Sequence, residues 1–386
     1  MPPLRVGVDA ACWPNRRGYG RFIRGLVTAL AERDDLRLTL IADCQTAEQV
    51  APPPGVGLLV VRTSAAASEA ASASGRRTVL DLLRCGFATS RAGFDVVFYP
   101  SVSTYFPLLS RTPQVVTIHD TTPERLPSLV FPRRTLQLYW TLKVRWALRA
   151  ARRVLTVSPF AARHLSEQFR LPARRITVVG EAPDPIFAPA DADAVAAVLR
   201  DYDVSQPYLF FVGGLSPHKD VPTLLRATYR LSREVADLQL ALAGEVEGDR
   251  FYTEPLRLRG LVEALGISER VRWLGYVPDR ALAALYSGAT ALVLPSLAEG
   301  FGLPVVEAAA CGTPVVASDR SNAAEVIAAT RVFPAGDDAA LAAAIRPLFD
   351  RATRQAVGEL GRQQAASYCW EAAAARAAAV FHSVAQ

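Results

Sequence analysis

The stretch Leu294–Cys311 reads LPSLAEGFGLPVVEAAAC, and its pattern decides the fold. A short apolar run ends in a turn that contains Gly300 and Gly302. Pro304 follows at a position that suits the first turn of a helix, because proline has no amide hydrogen to leave unpaired there. A buried strand, a glycine-rich turn and a helix in this order are typical of a parallel α/β sheet. The free amides at such a helix start also favour an anion.

Strands and helices alternate on both sides of a central connection. One run of alternation begins at Leu4–Asp9 (LRVGVD), and a second begins at Tyr208–Val212. Between them, Gly180–Val204 is rich in Pro, Asp and Ala, which predicts a domain connection. The low-complexity segment Arg62–Arg77 predicts a mobile loop. The pattern therefore predicts the α/β class, with two Rossmann-like domains built on doubly wound parallel sheets.

The predicted domain boundary falls in the proline-rich connection. We expect residues 1–185 to form an N-terminal domain and residues 186–369 a C-terminal one. In doubly wound sheets, ligands bind outside the carboxyl ends of the strands. The site is therefore expected in a cleft where the loops of the two domains face each other.

Composition narrows the class of protein. Hydrophobic residues make up 51% of the 386 residues and charged residues 21%, which indicates a packed globular chain. The sequence contains no run of 18 apolar residues, so no membrane span is predicted. Met1–Asp9 does not resemble a signal peptide. The five cysteines are scattered, without metal-ligand spacing, which favours a reduced, cytoplasmic setting.

Charge is distributed unevenly along the chain. Residues 1–190 carry 25 Lys and Arg against 14 Asp and Glu, whereas the remainder carries 18 against 23. An excess of arginine is compatible with nucleic acid, anionic lipid or phosphorylated small molecules. Because no nucleic-acid-binding motif is present, a nucleic-acid partner is not expected.

Three side chains near the glycine turns suggest chemistry. Glu299 precedes the turn and Glu307 lies eight residues later, and carboxylates that only accept hydrogen bonds suit sugar hydroxyls. Lys219 is one of only two lysines among 43 basic residues, and it lies at a predicted helix start. Each also has a plain structural reading: a loop charge for Glu299, a favourable helix-start acid for Glu307 and a solvated surface cation for Lys219.

The segment Glu299–Glu307 (EGFGLPVVE) resembles the E-x7-E motif of family 4 glycosyltransferases, which are retaining, metal-independent and have the GT-B fold. This family includes sucrose synthase and bacterial mannosyltransferases. The resemblance implies that Glu299 contacts the transferred sugar and that Glu307 holds the ribose hydroxyls. It also implies that the turn amides of Phe301, Gly302 and Leu303 approach the sugar and the phosphate.

A second segment, Val212–Asp220 (VGGLSPHKD), resembles the G-x-L-x-x-R-K-N segment of the same family. By this resemblance Gly214 belongs to the donor site and Lys219 binds the diphosphate. The chain departs from the pattern at His218, where the family commonly has arginine. The charge of a second phosphate contact at His218 would depend on its surroundings.

The N-terminal half carries weaker matches. Ile118-His119-Asp120 resembles the family's histidine beside the reacting face of the donor sugar. Gly18 and Gly20 resemble an early glycine loop that approaches the phosphate, although a strand-to-helix turn needs glycine for its backbone freedom alone. Trp370 and the following residues 370–386 resemble the family's closing helix, which crosses back to the N-terminal domain.

Two other patterns bear on metal binding and on membrane contact. Asp191-Ala-Asp193 and Asp201-Tyr-Asp203 resemble the manganese-binding D-x-D of another glycosyltransferase fold, but they lie in the connection. We therefore expect no metal ion and no cofactor. Residues 131–153 carry arginines, Trp140 and Trp146, and no acidic residue. This segment predicts contact with an anionic membrane, or alternatively a core-packed helix whose arginines are solvated or contact the acceptor.

The resemblance implies a hexosyltransferase of polysaccharide biosynthesis that uses GDP-mannose or a UDP-hexose. The N-terminal domain would then bind the acceptor, which is a saccharide, a lipid-linked sugar or a small molecule, and the C-terminal domain would bind the donor. The expected location is the cytoplasm, with contact at the inner face of the membrane. The alternatives are a nucleotide-sugar epimerase, a glycogen-phosphorylase-like enzyme and a non-catalytic sugar-binding subunit.

Overall fold

The computed structural model describes residues 2–16, 18–64, 78–244 and 255–386. The chain divides into two compact units. Unit 1 comprises Met1–Ala182 together with Cys369–Gln386, and unit 2 comprises Pro183–Tyr368. Most of the predicted loop Arg62–Arg77 lies outside the described residues.

Unit 1 is built on a seven-stranded parallel sheet with the strand order β3-β2-β1-β4-β5-β6-β7. Its strands are β1 (Leu4–Asp9), β2 (Leu36–Asp43), β3 (Gly57–Val61), β4 (Val96–Tyr99), β5 (Gln114–Thr117), β6 (Arg153–Thr156) and β7 (Ile176–Val178). Its helices are α1 (Gly18–Ala31), α2 (Cys44–Ala47), α3 (Val79–Arg91), α4 (Thr122–Arg125), α5 (Pro127–Val130), α6 (Arg134–Ala150), α7 (Pro159–Phe169) and, after unit 2, α16 (Trp370–Ala385).

Unit 2 is built on a six-stranded parallel sheet with the order β10-β9-β8-β11-β12-β13. Its strands are β8 (Tyr208–Val212), β9 (Gln239–Ala243), β10 (Val271–Gly275), β11 (Ala291–Leu294), β12 (Val315–Ser318) and β13 (Arg331–Phe333). Its helices are α8 (Ala192–Asp201), α9 (Val221–Ser232), α10 (Pro255–Ala264), α11 (Asp279–Gly288), α12 (Leu303–Ala310), α13 (Ala323–Val326), α14 (Asp338–Ile345) and α15 (Arg351–Ala365).

The strands of both sheets consist mainly of apolar residues, since helices cover the sheets. Strands β4 and β11 are fully buried along their length, as continuous apolar runs in parallel sheets require. In unit 1 the last helix packs against α1. A side chain at Gly25 would lie 2.3 Å from the ring of Trp370, so glycine permits this close approach. The prediction that the last helix returns to the N-terminal domain is confirmed.

The structure contains two elements that the sequence did not predict. Residues 192–201 of the presumed connection form α8, capped by Asp191, whose side chain accepts a hydrogen bond from the Ala194 amide. Strand β13, which is three residues long, was also not predicted. Helix α14 ends at Ile345, and a 3₁₀ turn follows at Pro347, which lacks the amide hydrogen that an α-helix needs.

The strand orders locate the points where ligands bind in such sheets. In unit 2 the chain moves outward from β8 to β10 and then returns to β11 on the other side of β8. In unit 1 the same reversal separates β1 from β4. At a reversal of this kind, the loops after neighbouring strands diverge and leave a crevice at their carboxyl ends.

Candidate active site

The carboxyl ends of β8 and β11 bring together the two strongest sequence candidates of unit 2. Lys219 follows β8 in a short 3₁₀ turn, and Glu299 lies in the loop after β11. The Lys219 ammonium donates a hydrogen bond of 2.5 Å to Glu299 Oε2. Each side chain is 19% exposed, so the pair is partly accessible at this edge of the sheet. The residues are 80 positions apart, and the reversal of strand order places them side by side.

The environment of Glu299 keeps its carboxylate ionised. Burial raises its pKa. This effect is outweighed by the charge and hydrogen bond of Lys219, the charge of His218 and a hydrogen bond from Ser296, all of which lower the pKa. The net pKa lies below the usual value for glutamate. Ser296 Oγ donates to the same Oε2 atom at 3.2 Å. Glu299 is therefore a fixed anion that accepts hydrogen bonds.

The glycine turn between the two glutamates leads directly into α12. Gly302 is the residue before the helix and has a φ of 82°, a conformation that favours glycine. Phe301 and Leu303 are buried, and the Phe301 ring lies edge-on to Tyr368 at 5.7 Å. Their side chains thus anchor the turn in the core, and the turn leads into the start of α12, the kind of helix end that favours anions.

Glu307 lies further along α12 and is buried, with 1% of its surface exposed. Its Oε2 accepts a hydrogen bond from the hydroxyl of Tyr286 on α11 at 3.1 Å. Burial, followed by the charge of Glu307, raises the pKa of the Cys311 thiol to about 12. The structure thus places Glu307 between α11 and α12, in a different setting from the partly accessible Glu299. The ribose contact of Glu307 remains a prediction.

Asn322 is a site residue that the sequence analysis missed. It follows β12, is 1% exposed, and its Nδ2 donates a hydrogen bond of 2.8 Å to the Gly300 carbonyl. Ser318, at the end of β12, donates to the Ser296 carbonyl. These two contacts join the end of β12 and the loop after it to residues 296 and 300. Residues 296–300 are called the Glu299 segment below. No sequence signal marked Asn322, because it lies in a loop without recognisable spacing to the motif.

The turn after β8 contains Gly213 and Gly214 and ends at Asp220, which has a left-handed backbone conformation with a φ of 47°. Gly213 has a φ of 151°, and a side chain at Gly244 would lie 2.0 Å from the Gly213 carbonyl oxygen. Gly214 follows, and the His218 carbonyl accepts a hydrogen bond from the Leu297 amide at 2.8 Å. This last contact ties the Lys219 turn to the Glu299 loop. The structure thus brings Gly214, His218 and Lys219 to one edge of the sheet.

His119 lies at the carboxyl end of β5 in unit 1 and is 9% exposed. Its Nε2 lies 2.9 Å from the Pro100 carbonyl oxygen, and its Nδ1 lies 3.2 Å from Glu181 Oε1. Both ring nitrogens therefore lie within hydrogen-bonding distance of oxygen atoms, which fixes the orientation of the imidazole. The sequence analysis did not single out Glu181, which is 6% exposed.

The beginning of α1 meets His119 within unit 1. The rings of Tyr19 and Phe22 lie edge-on to the imidazole at 4.8 and 4.7 Å. Gly18 is the first residue of α1, and a side chain at Gly20 would lie 1.7 Å from the Asn15 carbonyl oxygen. The packing of the preceding loop is thus a sufficient reason for Gly20. Its approach to a phosphate remains a prediction.

Carboxylates in the connection have structural roles. Asp191 caps α8, and Asp203 has a φ of 51° and pairs with Arg272 at 3.1 Å. Within residues 2–16, 18–64, 78–244 and 255–386, no group of three or more His, Cys, Asp or Glu side chains is arranged to hold a metal ion. Metal independence remains a prediction.

Comparison with known proteins identifies the family. Residues 16–185 match the model of glycosyltransferase family 4, and residues 201–364 match the model of glycosyl transferases group 1. The chain is 32% identical over 260 residues to O-antigen chain mannosyltransferase B of Escherichia coli, covering 67% of each chain. The chain belongs to glycosyltransferase family 4. It is accordingly a glycosyltransferase, which removes the non-catalytic and epimerase alternatives.

Solved structures show the same fold as this family 4 chain. It superposes on sucrose-phosphate synthase from Thermosynechococcus elongatus with a TM-score of 0.77, at 20% identity over 98% of both chains. It superposes on Anabaena HepE in complex with UDP-glucose with a TM-score of 0.74, at 18% identity over 98% of this chain and 100% of the other. These likenesses confirm the GT-B fold class.

The fraction of a relative's length that this chain matches differs from one relative to another. The glycosyltransferase described here spans 67% of the length of the Escherichia coli relative and 36% to 59% of three others. Among its described residues, no helix is both long enough and apolar enough to cross a membrane.

The contact between Asn322 and Gly300 yields a first prediction. Replacing Asn322 by Ala removes the hydrogen bond that fixes the Glu299 segment, so kcat/KM for sugar transfer should fall roughly tenfold, the effect of losing one buried hydrogen bond. Ser321→Ala is the matched control, because Ser321 Oγ donates to the Ser318 carbonyl in the same loop without touching the Glu299 segment. Steady-state kinetics with thermal unfolding of both variants measure this. Equal losses in the two variants would contradict a specific role for Asn322.

Proposed function

We propose that this glycosyltransferase moves a hexose from a nucleoside diphosphate sugar to an acceptor hydroxyl, with retention at the anomeric carbon and without a metal ion. The observation that supports the proposal best is the Lys219–Glu299 pair at the strand reversal of unit 2. One cation and one hydrogen-bond-accepting anion stand beside the amide-rich start of α12. These are the groups that a diphosphate and a sugar require.

In the proposed reaction, the bond between the anomeric carbon and the phosphate oxygen breaks while the acceptor oxygen bonds to the same face of that carbon. The departing phosphate takes the proton of the acceptor hydroxyl. Positive charge builds on the sugar and negative charge on the phosphate. Lys219 and the amides of Gly302 and Leu303 would stabilise the phosphate charge, which is the most effective kind of catalytic interaction.

The remaining residues have assigned places in this proposal. Glu299 would accept hydrogen bonds from the transferred sugar, and Glu307 from the ribose. His119 would lie beside the reacting face of the sugar, with its ring held by Glu181 and Pro100. By the family resemblance, the donor site would be completed by Gly18, Gly20, Gly214, His218 and the Phe301 amide.

The donor is proposed from relatives. The structure of HepE contains UDP-glucose, and the Escherichia coli relative is named as an O-antigen chain mannosyltransferase. We therefore propose a UDP-hexose or GDP-mannose as donor and a role in polysaccharide biosynthesis. The acceptor is proposed to be a saccharide, a lipid-linked sugar or a small molecule. No nucleic acid is part of the proposal.

The proposed reaction is tested by mixing the enzyme with nucleotide sugars and candidate acceptors and measuring the released nucleoside diphosphate. Release should continue unchanged with EDTA, because Lys219 and amides take the place of a metal. Proton NMR of the product should show the same anomeric configuration as the donor. A strict requirement for magnesium or manganese, or an inverted product, would refute this mechanism.

The different settings of the two glutamates yield a further prediction. Glu307→Gln should weaken binding of the free nucleoside diphosphate, which has a ribose but no sugar, by roughly tenfold to a hundredfold, the effect of one charged hydrogen bond. Glu299→Gln should leave that affinity nearly unchanged and reduce transfer instead. Isothermal calorimetry and turnover measurements compare the two variants. The same behaviour in both, or the reverse order, would show that these roles are assigned wrongly.

A further inference from the structure

Helix α6 presents an apolar stripe to solvent. Leu138, Leu142 and Trp146 are 61%, 58% and 57% exposed. They are spaced four residues apart, so they share one face of the helix. The opposite face is core, since Leu136, Trp140 and Val144 are buried. The helix is thus apolar on two sides, and burial inside unit 1 explains only one of them.

Arginines lie within the same exposed face of α6. Arg134, Arg145 and Arg149 are exposed, and helical spacing places them among the three apolar side chains. Residues 131–153 contain no acidic residue. Glu124 accepts a hydrogen bond of 2.7 Å from Trp140, on the buried side of α6. The exposed face is therefore apolar and basic without acidic neutralisation from its own helix.

Helix α3 repeats this combination, although nothing in the sequence analysis marked it. Leu80, Leu83 and Phe87 are 56%, 45% and 53% exposed and lie on one face. The Arg91 guanidinium lies 5.4 Å from the Phe87 ring centre. Asp81 is the acidic residue of this helix; its side chain is only 1% exposed and pairs with Arg84 at 3.5 Å. Helix α3 thus also exposes leucines and an aromatic ring beside arginine.

The two helices belong to one side of the unit 1 sheet. Buried residues of both, Cys85 of α3 and Trp140 of α6, pack into the same core cluster. The segment between β4 and β5 joins them: the Leu109 amide donates to Ser90 of α3 at 2.9 Å, and Lys143 of α6 donates to the Ser103 carbonyl at 2.9 Å. Leu109 itself is 60% exposed, so apolar exposure continues between the helices.

We propose that this side of unit 1 is a docking surface for an anionic lipid bilayer, formed by α3 and α6 together. Its apolar members are Leu80, Leu83, Phe87, Leu109, Leu138, Leu142 and Trp146, and its basic members are Arg91, Arg111, Arg134, Arg145 and Arg149. The leucines and rings enter the boundary of the acyl chains, while the arginines contact lipid phosphates.

Charge selects the bilayer over a second copy of the chain. A symmetric dimer through this surface would bring the same arginines of both copies together, and like charges brought together oppose association. An anionic membrane neutralises them instead. Residues 1–190 as a whole carry 25 basic and 14 acidic residues, which adds attraction toward an anionic surface. The inference is independent of the proposed reaction, because no step of that reaction requires this surface.

Vesicle flotation tests the proposal with the full chain. Wild-type protein should float with vesicles of phosphatidylcholine and phosphatidylglycerol, and much less with phosphatidylcholine alone. Arg145→Gln with Arg149→Gln should weaken binding about fivefold per arginine, since each contributes about 1 kcal/mol near an anionic surface. Leu83→Ser with Phe87→Ser on α3 should also reduce binding. Leu256→Ser with Leu360→Ser, which changes exposed leucines of unit 2, is the matched control and should float as wild type does.

Thermal unfolding and nucleoside diphosphate binding of each variant establish that it is folded. If the double variant of α3, Leu83→Ser with Phe87→Ser, does not fold, the single variant Phe87→Ser takes its place. Loss of flotation with unchanged nucleoside diphosphate affinity supports the proposal and leaves the reaction untouched. Absence of wild-type binding to anionic vesicles would overturn it. So would equal binding to neutral vesicles, loss in the unit 2 control, concentration-dependent dimer formation through the surface, or α3 variants that bind as wild type does.

Discussion

The ion pair between Lys219 and Glu299 is the interaction on which the candidate site depends. It joins the turn after β8 to the loop after β11, and these strands are neighbours only because the strand order reverses between them. A partly buried pair of this kind adds little net stability, because removing two charges from water costs about as much as their attraction returns. Its effect is positional: the ammonium is held in place at the edge of the sheet, and the carboxylate stays ionised.

Three hydrogen bonds hold the residues around that pair in place. The Leu297 amide bonds to the His218 carbonyl, Asn322 bonds to the Gly300 carbonyl, and Ser318 bonds to the Ser296 carbonyl. The Glu299 segment is thereby tied to the loops after β8 and β12. Groups that stabilise charge in a reaction act best when they need no rearrangement. The described part of unit 2 provides such a fixed arrangement.

The sequence predicted most of this architecture because parallel strands are continuous apolar runs and glycine turns mark their ends. It located β8, β11 and the start of α12 and selected Lys219 and Glu299. It missed Asn322, Tyr286 and Glu181, whose contacts arise from packing between elements far apart in the chain. It also missed the exposed face of α3, since an apolar helix looks the same in sequence whether its leucines face the core or the solvent.

Replacement of Lys219 by Ala tests the central claim most directly, with Lys143→Ala as the control because it removes the other lysine, which lies in unit 1. The account predicts that Lys219→Ala lowers kcat/KM by roughly 100-fold or more, as the loss of a preorganised electrostatic contact does, and weakens nucleoside diphosphate binding. Lys143→Ala should leave that binding unchanged. Wild-type turnover and nucleoside diphosphate affinity in Lys219→Ala would contradict the account.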